Sequence, residues 1–503
     1  MSGPVPPGTS RTRPLVLAPL RIEALAIGGD VERVGMGRAK AISAGQRLAG
    51  STAPGRPVVL AGMGGALGGA VRPGHVVVAT EVRDVDGTVQ RPLDGAELLA
   101  AEFARLGCPV VTGPIVSSPR FVHGEERRRL TAGGVVAFDM ESAWIADALA
   151  DHPMAVVRVV SDTAECNILS GGVRALASLR RVRLPIERWA GATGLSEIRL
   201  AAPRSFCAGV VRAIDIVDAA IQRFGAPVYV RRQIVHNRHV IDDLERRGAV
   251  FVSELTEVPA GATVVFAAHG VSPAVRAEAA RRPDLRVIDA TCPLVAKVHH
   301  EVRRFAQLGH QIVVVGHADH EEVEGTVGEA PDLIQVVERV EQVDDLELDA
   351  DAPVAYLTQT TLATDETAVV VERLRERFPQ IAGPHVDDIC YATQNRQDAL
   401  RKLATRCEVV LVIGSANSSN TARLVEVAER AGCRAHLVED MAHVELGWLE
   451  GVRSLGITAG ASAPPDLVDE VVAALGALSG ATVFEDVTAE ETVHFALPPQ
   501  VRP

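Results

Sequence analysis

The feature of this sequence that most constrains its fold is the regular alternation of short apolar runs with amphipathic stretches. The runs HVVVAT (75–80) and AVVRVVSD (155–162) are typical of buried strands, and ATVVFAAHG (262–270) and QIVVVGHADH (311–320) repeat the pattern further along. Amphipathic segments such as VVERLRERF (370–378) lie between such runs. The alternation predicts an α/β architecture with mostly parallel sheets.

Length and charge divide the chain into two parts. At 503 residues the chain exceeds what one hydrophobic core supports, so we expect at least two domains. Residues 1–195 hold 22 Lys/Arg and 18 Asp/Glu, whereas the remainder holds 29 and 46. The small-residue segment AGATGLSE (190–197) lies where this balance changes. We therefore predict one domain over 14–193 and a second over 197–495, followed by a loose C-terminal tail.

Composition narrows the class of protein. Hydrophobic residues make up 47% and charged residues 23%, which is typical of a globular protein. No apolar run reaches the roughly 18 residues of a membrane span, and the N-terminal residues lack an apolar signal core. Neither half has a basic stripe of the kind that binds nucleic acid. We expect a cytoplasmic protein with no membrane and no nucleic-acid partner.

Three of the seven cysteines occupy comparable places in the second part. Cys207, Cys292 and Cys390 each precede a predicted helix, where the helix dipole and free N–H groups stabilise a thiolate. They are separated by 85 and 98 residues, about one α/β subdomain each. Three such thiolates could hold three irons of a [4Fe–4S] cluster and leave the fourth iron open to substrate. We expect the other four cysteines to lie in hydrophobic cores: Cys108, Cys166, Cys407 and Cys433.

Polar residues also collect directly after apolar runs in the second part. Such positions lie at the carboxyl ends of strands, where open α/β sheets bind ligands. Their number indicates one shared central site rather than ordinary loop chemistry. The residues are His269, Cys292, His317, His320, Thr360, Ser418, Asn420 and Ser462.

The second part contains nine motifs in a fixed order: FCAGV, IVHN, AHG, DATCP, GHADHEEVEGT, TQTTL, DDICYATQNRQ, SSN and TAGASAP. These motifs and their order resemble those of the 4-hydroxy-3-methylbut-2-enyl diphosphate reductase family, the last enzymes of the methylerythritol phosphate route to isoprenoids. The resemblance covers about residues 197–480 and implies three α/β subdomains around a central iron–sulfur cluster. It also implies reductive removal of an allylic hydroxyl group from a diphosphate substrate, with a ferredoxin or flavodoxin as electron donor.

The resemblance further implies a role for each matching residue. Cys207, Cys292 and Cys390 would hold the [4Fe–4S] cluster. Glu322 would deliver a proton, and Thr360 would orient the substrate hydroxyl. Imidazole, hydroxyl and amide donors would bind the diphosphate through charge-assisted hydrogen bonds. These donors are His236, His269, His320, Ser418, Ser419, Asn420 and Ser462.

One motif departs from the family pattern. The family usually has His-Pro-Glu where this chain has His320, Glu321 and Glu322. Without proline the loop is less rigid, and Glu321 is an alternative to Glu322 as the proton-delivering carboxylate. The resemblance gives no role to five other histidines, which are expected to be ordinary loop or cap residues: His239, His299, His300, His310 and His317.

The first part carries a weaker pattern of nucleoside-site residues. Glycine-rich runs at 35–41 and 60–82 lie beside apolar strands, so their backbone could approach a phosphate or a sugar. Glu141 begins a predicted helix and Asp162 ends a strand, although helix-dipole and capping roles are alternatives for these carboxylates. The arginine-rich segments at 127–129 and 180–183 are expected to be solvated helix faces.

The order of these pieces resembles the superfamily of nucleoside phosphorylases and methylthioadenosine/adenosylhomocysteine nucleosidases. The resemblance implies that Met140 and Glu141 contact ribose and that Asp162 protonates the purine leaving group. Glu23 lies where nucleosidases keep a water-activating acid. This first part is short for the superfamily, and aromatics are only 3% of the chain. A non-catalytic interaction module is the alternative for the first part, and inert cysteines or structural zinc are the alternatives for the second.

Overall fold

The computed structural model describes residues 13–69, 71–86, 89–164, 166, 168–349 and 352–502. The chain forms two compact units. The first unit comprises the residues up to Ile198 together with Asp440–Leu455 and Asp469–Phe484. The second unit comprises Arg199–Glu439, Gly456–Val468 and the residues from Glu485 onward.

One sheet forms the centre of the first unit. Its described strands are β1 (Leu15–Ala18), β2 (Glu32–Arg33), β3 (Val58–Ala66), β4 (Val76–Asp84), β5 (Gln90–Pro92), β6 (Val110–Ser117), β7 (Ala137–Asp139) and β8 (Met154–Asp162). The order is β2-β1-β3-β7-β6-β4-β5, and β8 pairs with both β3 and β4. Because β8 runs parallel to β3 and antiparallel to β4, these strands close into a mixed ring. Five of its eight described strand pairings are nevertheless parallel, so the prediction of mostly parallel sheets is confirmed for this unit.

Helices pack on the outside of this sheet. They are α1 (Arg21–Ile27), α2 (Arg38–Ala49), α3 (Ala96–Arg105), α4 (Gly124–Ala132), α5 (Ser142–Ala148), α6 (Ile168–Leu179) and α7 (Arg183–Ala192). Leu60 and Val156 on neighbouring strands are fully buried, and Ile145 of α5 belongs to the same core. The burial of these apolar side chains is the main stabilising contribution to the unit.

Three further sheets follow along the chain, as the resemblance implied. Their strands are β9 (Glu197–Ala202), β10 (Val228–Arg231), β11 (Ala249–Val252), β12 (Thr263–Phe266), β13 (Arg286–Asp289), β14 (Gln311–Val315), β15 (Ile334–Val337), β16 (Val354–Thr358), β17 (Val409–Ile413), β18 (Arg434–Val438), β19 (Ser454–Ala459) and β20 (Thr482–Val487). The orders are β11-β10-β12-β13, β15-β14-β16 and β18-β17-β19-β9-β20. The first two sheets are parallel throughout.

Helices connect these strands. They are α8 (Ala208–Phe224), α9 (Arg238–Arg247), α10 (Pro273–Ala280), α11 (Pro293–Gln307), α12 (Glu321–Val327), α13 (Thr364–Arg377), α14 (Tyr391–Ala404), α15 (Ser419–Arg430) and α16 (Pro465–Ser479). Helix α8 leads from β9 to β10, α11 leads from β13 to β14, and α14 leads into β17. Each of these three passage helices therefore lies on a segment that connects one sheet to the next.

The C-terminal segment is packed rather than loose. Val501 is buried in the core that surrounds α8, and Arg223 donates a 2.7 Å hydrogen bond to the carbonyl oxygen of Arg502. The predicted loose tail is therefore wrong, because Leu497 and Val501 dock the segment against this core. None of the helices in the described part of the chain combines the length and apolar character that crossing a membrane requires.

Candidate functional site

Three cysteines lie at the starts of the three passage helices of the second unit. Cys207 immediately precedes α8, Cys292 precedes α11 and Cys390 precedes α14. All three side chains line one cavity. The backbone N–H of Thr393 donates to the Cys390 sulfur at 3.3 Å, which satisfies one of the free donors of a helix start. In the second unit, each of the three passage helices thus brings one thiol to the same cavity.

The three thiols are close together and shielded from solvent. A Cβ on Gly209 would lie 2.8 Å from Cys292 Sγ and 3.7 Å from Cys207 Sγ, so glycine leaves space that another residue would fill. Burial, together with the charge of neighbouring thiols, raises the pKa of Cys292 to about 12 and that of Cys390 to about 11. Three thiolates are therefore stable here only beside a positively charged group. No disulfide joins any of the seven cysteines, so the set fits a metal centre.

Three histidines of the same cavity pack against one another. The rings of His236 and His269 are stacked with centroids 4.1 Å apart, and His320 lies edge-on to them at 5.6 and 5.9 Å. Burial, with the nearby His269 ring, lowers the pKa of His236 to about 3 and that of His320 to about 4. An anion entering the cavity would oppose both effects and favour the charged imidazoles, which are stronger donors.

Hydroxyl and amide groups complete the polar part of the cavity. The Ser462 hydroxyl donates to the backbone oxygen of His236 at 3.0 Å and lies 3.3 Å from the Ser418 hydroxyl. The Asn420 side chain accepts a hydrogen bond from the N–H of Ala461 at 3.2 Å. Ser418 caps α15, whose first N–H groups point toward this end of the cavity lining. Ser419 also lines the cavity.

A buried carboxylate and a threonine form a pair in the cavity. The backbone N–H of Thr360 donates to one oxygen of Glu322 at 2.7 Å, and its hydroxyl donates to the other at 2.9 Å. Burial raises the pKa of Glu322, which favours the protonated acid. The neighbouring Glu321 instead contacts His269 and Arg232. The geometry therefore favours Glu322 over Glu321 as the partner of Thr360.

Several residues of this cavity had no assigned role in the sequence. Gly209, Thr361 and Tyr391 stand next to or inside the quoted motifs and could have been included on that ground. Phe495 lies outside every motif, so no sequence signal pointed to it. His299, expected to be a loop or cap residue, is instead buried within α11, where its Nδ1 lies 2.8 Å from a Glu329 oxygen.

The residues predicted for the first unit line a second cavity. Glu23, the adjacent Met140 and Glu141, and Asp162 come from three separate stretches of sequence and meet there. Phe121 and Asp139 are among the lining residues that the sequence did not single out. Only two aromatic side chains, those of Phe121 and Phe138, are among its described lining.

A fully buried arginine organises the carboxylates of the second cavity. Arg158 of β8 lies 2.7 Å from Asp139 and 3.6 Å from Glu141. Burial raises the pKa of Glu141 to about 7, although Arg158 opposes the shift. Burial also raises the pKa of Glu23, whose carboxylate accepts 2.7 Å hydrogen bonds from the N–H groups of Leu20 and Met63. An arginine inside an apolar strand run was the sequence signal for this network.

Asp162 has a cationic partner in this structure. Arg127 Nη1 lies 3.5 Å from an Asp162 oxygen, and the same guanidinium lies 5.4 Å from the centroid of the Phe138 ring. Arg127 also donates to the backbone oxygen of Ala66. The prediction of a solvated face at 127–129 is therefore wrong for Arg127, because α4 packs this residue against β8.

The remaining cysteines differ in burial. Cys108 and Cys433 are buried as predicted, and Cys407 packs at the edge of the Cys433 core. Cys166 is only half-buried, so its predicted core location is wrong. It follows the end of β8 and therefore lies beyond the strand that would have carried it inward.

Comparison with known proteins assigns a relative to each unit. The LytB protein family matches residues 198–476, and the Phosphorylase superfamily matches residues 25–175. Over 313 residues the chain is 55% identical to the 4-hydroxy-3-methylbut-2-enyl diphosphate reductase of Cutibacterium acnes, covering 62% of this chain and 97% of that protein. The reductase of the same name from an Azoarcus species is 55% identical over 307 residues, covering 61% and 98%.

A solved structure gives the same relationship. The E-1-hydroxy-2-methyl-but-2-enyl-4-diphosphate reductase of Plasmodium falciparum is 38% identical to this chain with a TM-score of 0.60. It covers 61% of this chain and 97% of its own. The sequence and structural relatives therefore agree on the second unit.

Proposed function

Because the chain belongs to the LytB protein family, we propose that its second unit is a 4-hydroxy-3-methylbut-2-enyl diphosphate reductase of isoprenoid biosynthesis. The substrate's allylic C–O bond breaks, two electrons and two protons enter, and the products are water with isopentenyl or dimethylallyl diphosphate. The observation that carries the proposal is the meeting of three cysteines, three histidines and one buried carboxylate in a single cavity.

We assign Cys207, Cys292 and Cys390 as the ligands of a [4Fe–4S] cluster. Their number leaves one iron without a protein ligand, and their burial requires a cationic group between them. When bound, the cluster supplies electrons and an iron site for the substrate oxygen. Electrons must reach it from outside, so the partner is a ferredoxin- or flavodoxin-type protein. The free thiols also fit a reducing compartment, the cytoplasm.

The polar wall of the cavity binds the diphosphate. His236, His269 and His320 provide imidazole N–H donors for the phosphate oxygens. The remaining donors are Ser418, Ser419, Asn420 and Ser462, together with the first N–H groups of α15. Binding the diphosphate at this wall orients the allylic end of the substrate toward the cysteines.

Glu322 and Thr360 deliver a proton to the leaving oxygen. The raised pKa of Glu322 keeps a proton available, and the Thr360 hydroxyl at 2.9 Å links the carboxyl group to the substrate hydroxyl. The backbone N–H of Thr360 holds the carboxyl group in place. Protonation turns the leaving hydroxyl into water, which is a far better leaving group than hydroxide.

The test uses the full-length protein prepared without oxygen. We expect iron and sulfide in equal amounts, a broad visible absorption, and conversion of the substrate when a chemical reductant is supplied. A colourless protein that contains stoichiometric zinc would contradict the proposal and would favour a structural metal site.

For the first unit, we infer cleavage of the N-glycosidic bond of a nucleoside. The support is the match to the Phosphorylase superfamily and the meeting of Glu23, Met140, Glu141 and Asp162 in one cavity. Met140 and Glu141 would contact the ribose, Asp162 would protonate the departing base, and Glu23 would activate water. Protonation by Asp162 requires that its ion pair with Arg127 opens when the base binds.

The alternative for this unit is a non-catalytic interaction module. Full-length protein is incubated with adenosine, methylthioadenosine, adenosylhomocysteine and inosine, with and without phosphate, and the free base is measured. Release that Glu141→Gln and Asp162→Asn abolish supports a catalytic unit. No release from any nucleoside favours the interaction module. We further propose 14–193 and 197–495 as the limits of the two domains.

A further inference from the structure

We propose that Glu321 is a positioning residue of the diphosphate site, which orients His269 by accepting from its Nδ1 and so leaves Nε2 to donate to the substrate. This inference rests on the reductase function proposed above. It concerns the residue at which the chain departs from the His-Pro-Glu pattern, and it gives that residue a role distinct from proton delivery.

The first support is the contact itself. Oε2 of Glu321 lies 3.3 Å from Nδ1 of His269. That Nδ1 atom is buried and has no well-aligned hydrogen bond among the described residues, so the carboxylate is its available acceptor. Hydrogen bonds of this kind often tighten only when substrate engages the other side of the group. In an imidazole, the hydrogen bond made by one nitrogen determines which nitrogen carries the proton. It therefore also determines whether the other nitrogen donates or accepts a hydrogen bond.

The second support is that Glu321 is ionised and that His269 is its nearest partner. Arg232 is the neighbouring cation, but its guanidinium binds Glu324 at 2.7 and 3.1 Å and lies 4.0 Å from Glu321. Although burial opposes the charge, contact with His269 and the nearby Arg232 guanidinium lower the pKa of Glu321. Glu321 is therefore a carboxylate and can only accept a hydrogen bond from Nδ1.

The third support is the crowding around His269. The groups that face its ring are His236 stacked at 4.1 Å, His320 edge-on at 5.9 Å, Glu321, and the buried Glu322. Glu322 is occupied by Thr360, through both the backbone N–H and the hydroxyl of that residue. Glu321 is therefore the carboxylate available to fix the orientation of His269.

The position of Glu321 on its helix explains how it reaches the histidine. It is the first residue of α12, directly after His320, and its side chain is about a quarter exposed, at 23%. One short helix start thus presents His320 to the cavity and the Glu321 carboxylate to a second histidine. A proline at this position would keep the helix start and lose the acceptor.

The experiment compares four variants of the full-length, cluster-loaded protein: Glu321→Gln, Glu321→Asp, Glu321→Pro and Glu254→Gln. Glu254 is the matched control, since it is a half-exposed carboxylate of the same unit that pairs with Arg231. Three quantities are measured: kcat and KM for the substrate, and the Kd of inorganic pyrophosphate by calorimetry. Thermal unfolding checks that each variant is folded.

We expect Glu321→Gln and Glu321→Pro to raise KM and the pyrophosphate Kd about tenfold, as when a charge-assisted hydrogen bond becomes a neutral one or is lost. The value of kcat should change less than about twofold, because a positioning role in binding does not touch the proton pathway. Glu321→Asp should retain most of the affinity, and Glu254→Gln should behave as wild type.

Folded Glu321→Gln protein that binds pyrophosphate as tightly as wild type would overturn the inference. A fall in kcat with unchanged KM would overturn it as well and would return Glu321 to the proton pathway. Failure of the proposed function looks different, because cluster-loaded wild-type protein would then convert no substrate at all.

Discussion

The two cavities of this protein balance their charged groups in opposite ways. In the first unit, Arg158 neutralises Asp139 and Glu141, and Arg127 neutralises Asp162. In the second unit, the three thiols have no cationic side chain of this kind among the described lining residues, and burial lowers the pKa of His236 and His320. In the first cavity, the chain thus supplies both charges of each ion pair. In the second cavity, a bound group must supply the charges opposite to the thiolates and the imidazoles.

Mutations in the two cavities should therefore change different quantities, although both units are built from α/β elements. Where the chain supplies both partners of a buried pair, removing one partner acts on stability. Where a ligand supplies the second partner, removing the protein group acts on binding and turnover. Each of the following predictions tests whether a mutation changes stability, as expected for the first cavity, or binding and turnover, as expected for the second.

The largest effect is expected from a cysteine of the second cavity. Cys292→Ser should lower iron content and reduce turnover below detection, because hydroxyl is a poor ligand in place of thiolate. Cys433→Ser is the control, since Cys433 is buried in a core and donates to the backbone oxygen of Cys407. Iron analysis and turnover are measured on both. Equal iron in the two variants would remove Cys292 from the ligand set.

A large effect on stability is expected from the arginine of the first cavity. Arg158→Met leaves Asp139 and Glu141 buried without their partner and should lower the free energy of unfolding by about 3–5 kcal/mol. Arg47→Met, which breaks an exposed pair with Glu32, should lower it by less than about 1 kcal/mol.

The chain offers a selective probe for this measurement. All three tryptophans belong to the first unit: Trp144, Trp189 and Trp448. Urea unfolding followed by tryptophan fluorescence therefore reports on that unit. Similar midpoints for the two arginine variants would contradict the idea that the first cavity depends on its internal pairs.

An intermediate effect is expected from the acid of the second cavity. Glu322→Gln removes the transferable proton and should lower kcat about a hundredfold, within the range for general acids. Glutamine has nearly the same shape as glutamate, so the Kd of pyrophosphate should stay within about twofold of wild type. Glu324→Gln, on the same helix and exposed, is the control. An equal loss of pyrophosphate affinity would show that Glu322 acts through binding instead.

The smallest effect is a pH dependence of the first unit. Folding raises the pKa of Glu141 from 4.5 to about 7, so its contribution to stability is present below pH 4.5 and is lost as the pH rises toward 7. Relative to wild type, Glu141→Gln should therefore gain roughly 2 kcal/mol of unfolding free energy between those pH values. Tryptophan-detected unfolding at several pH values measures the difference. A pH-independent difference would show that Glu141 titrates normally.

The sequence was most informative where a motif sits at the end of a strand. Cys207, Cys292 and Cys390 could be grouped because each precedes a helix in a regular α/β alternation, and helix starts at strand ends face a common region. The polar residues of the second cavity followed for the same reason. For the first unit, only the resemblance to nucleosidases grouped Glu141 with Asp162, because helix-dipole and capping roles stayed open for these carboxylates on the sequence alone.

Contacts between distant segments could not be predicted in this way. The pairing of Arg127 with Asp162 depends on how α4 packs, and an arginine-rich run by itself is typical of a solvated surface. The mixed ring of the first sheet depends on β8 pairing with both β3 and β4, which strand-like patterns do not encode. Likewise, Phe495 and Val501 are single apolar residues in a proline-rich tail, without periodicity to mark their burial.

The placement of one cysteine at each passage between sheets has a consequence for the lifetime of the protein. A group held by all three thiols closes two loops of 85 and 98 residues, and a cross-link over loops of that length restricts the unfolded chain strongly. Oxidative loss of the group would release all three passages at once, so chemical inactivation and exposure to proteases become a single event. Oxidised molecules would then lose catalytic activity and become accessible to proteases through the same change.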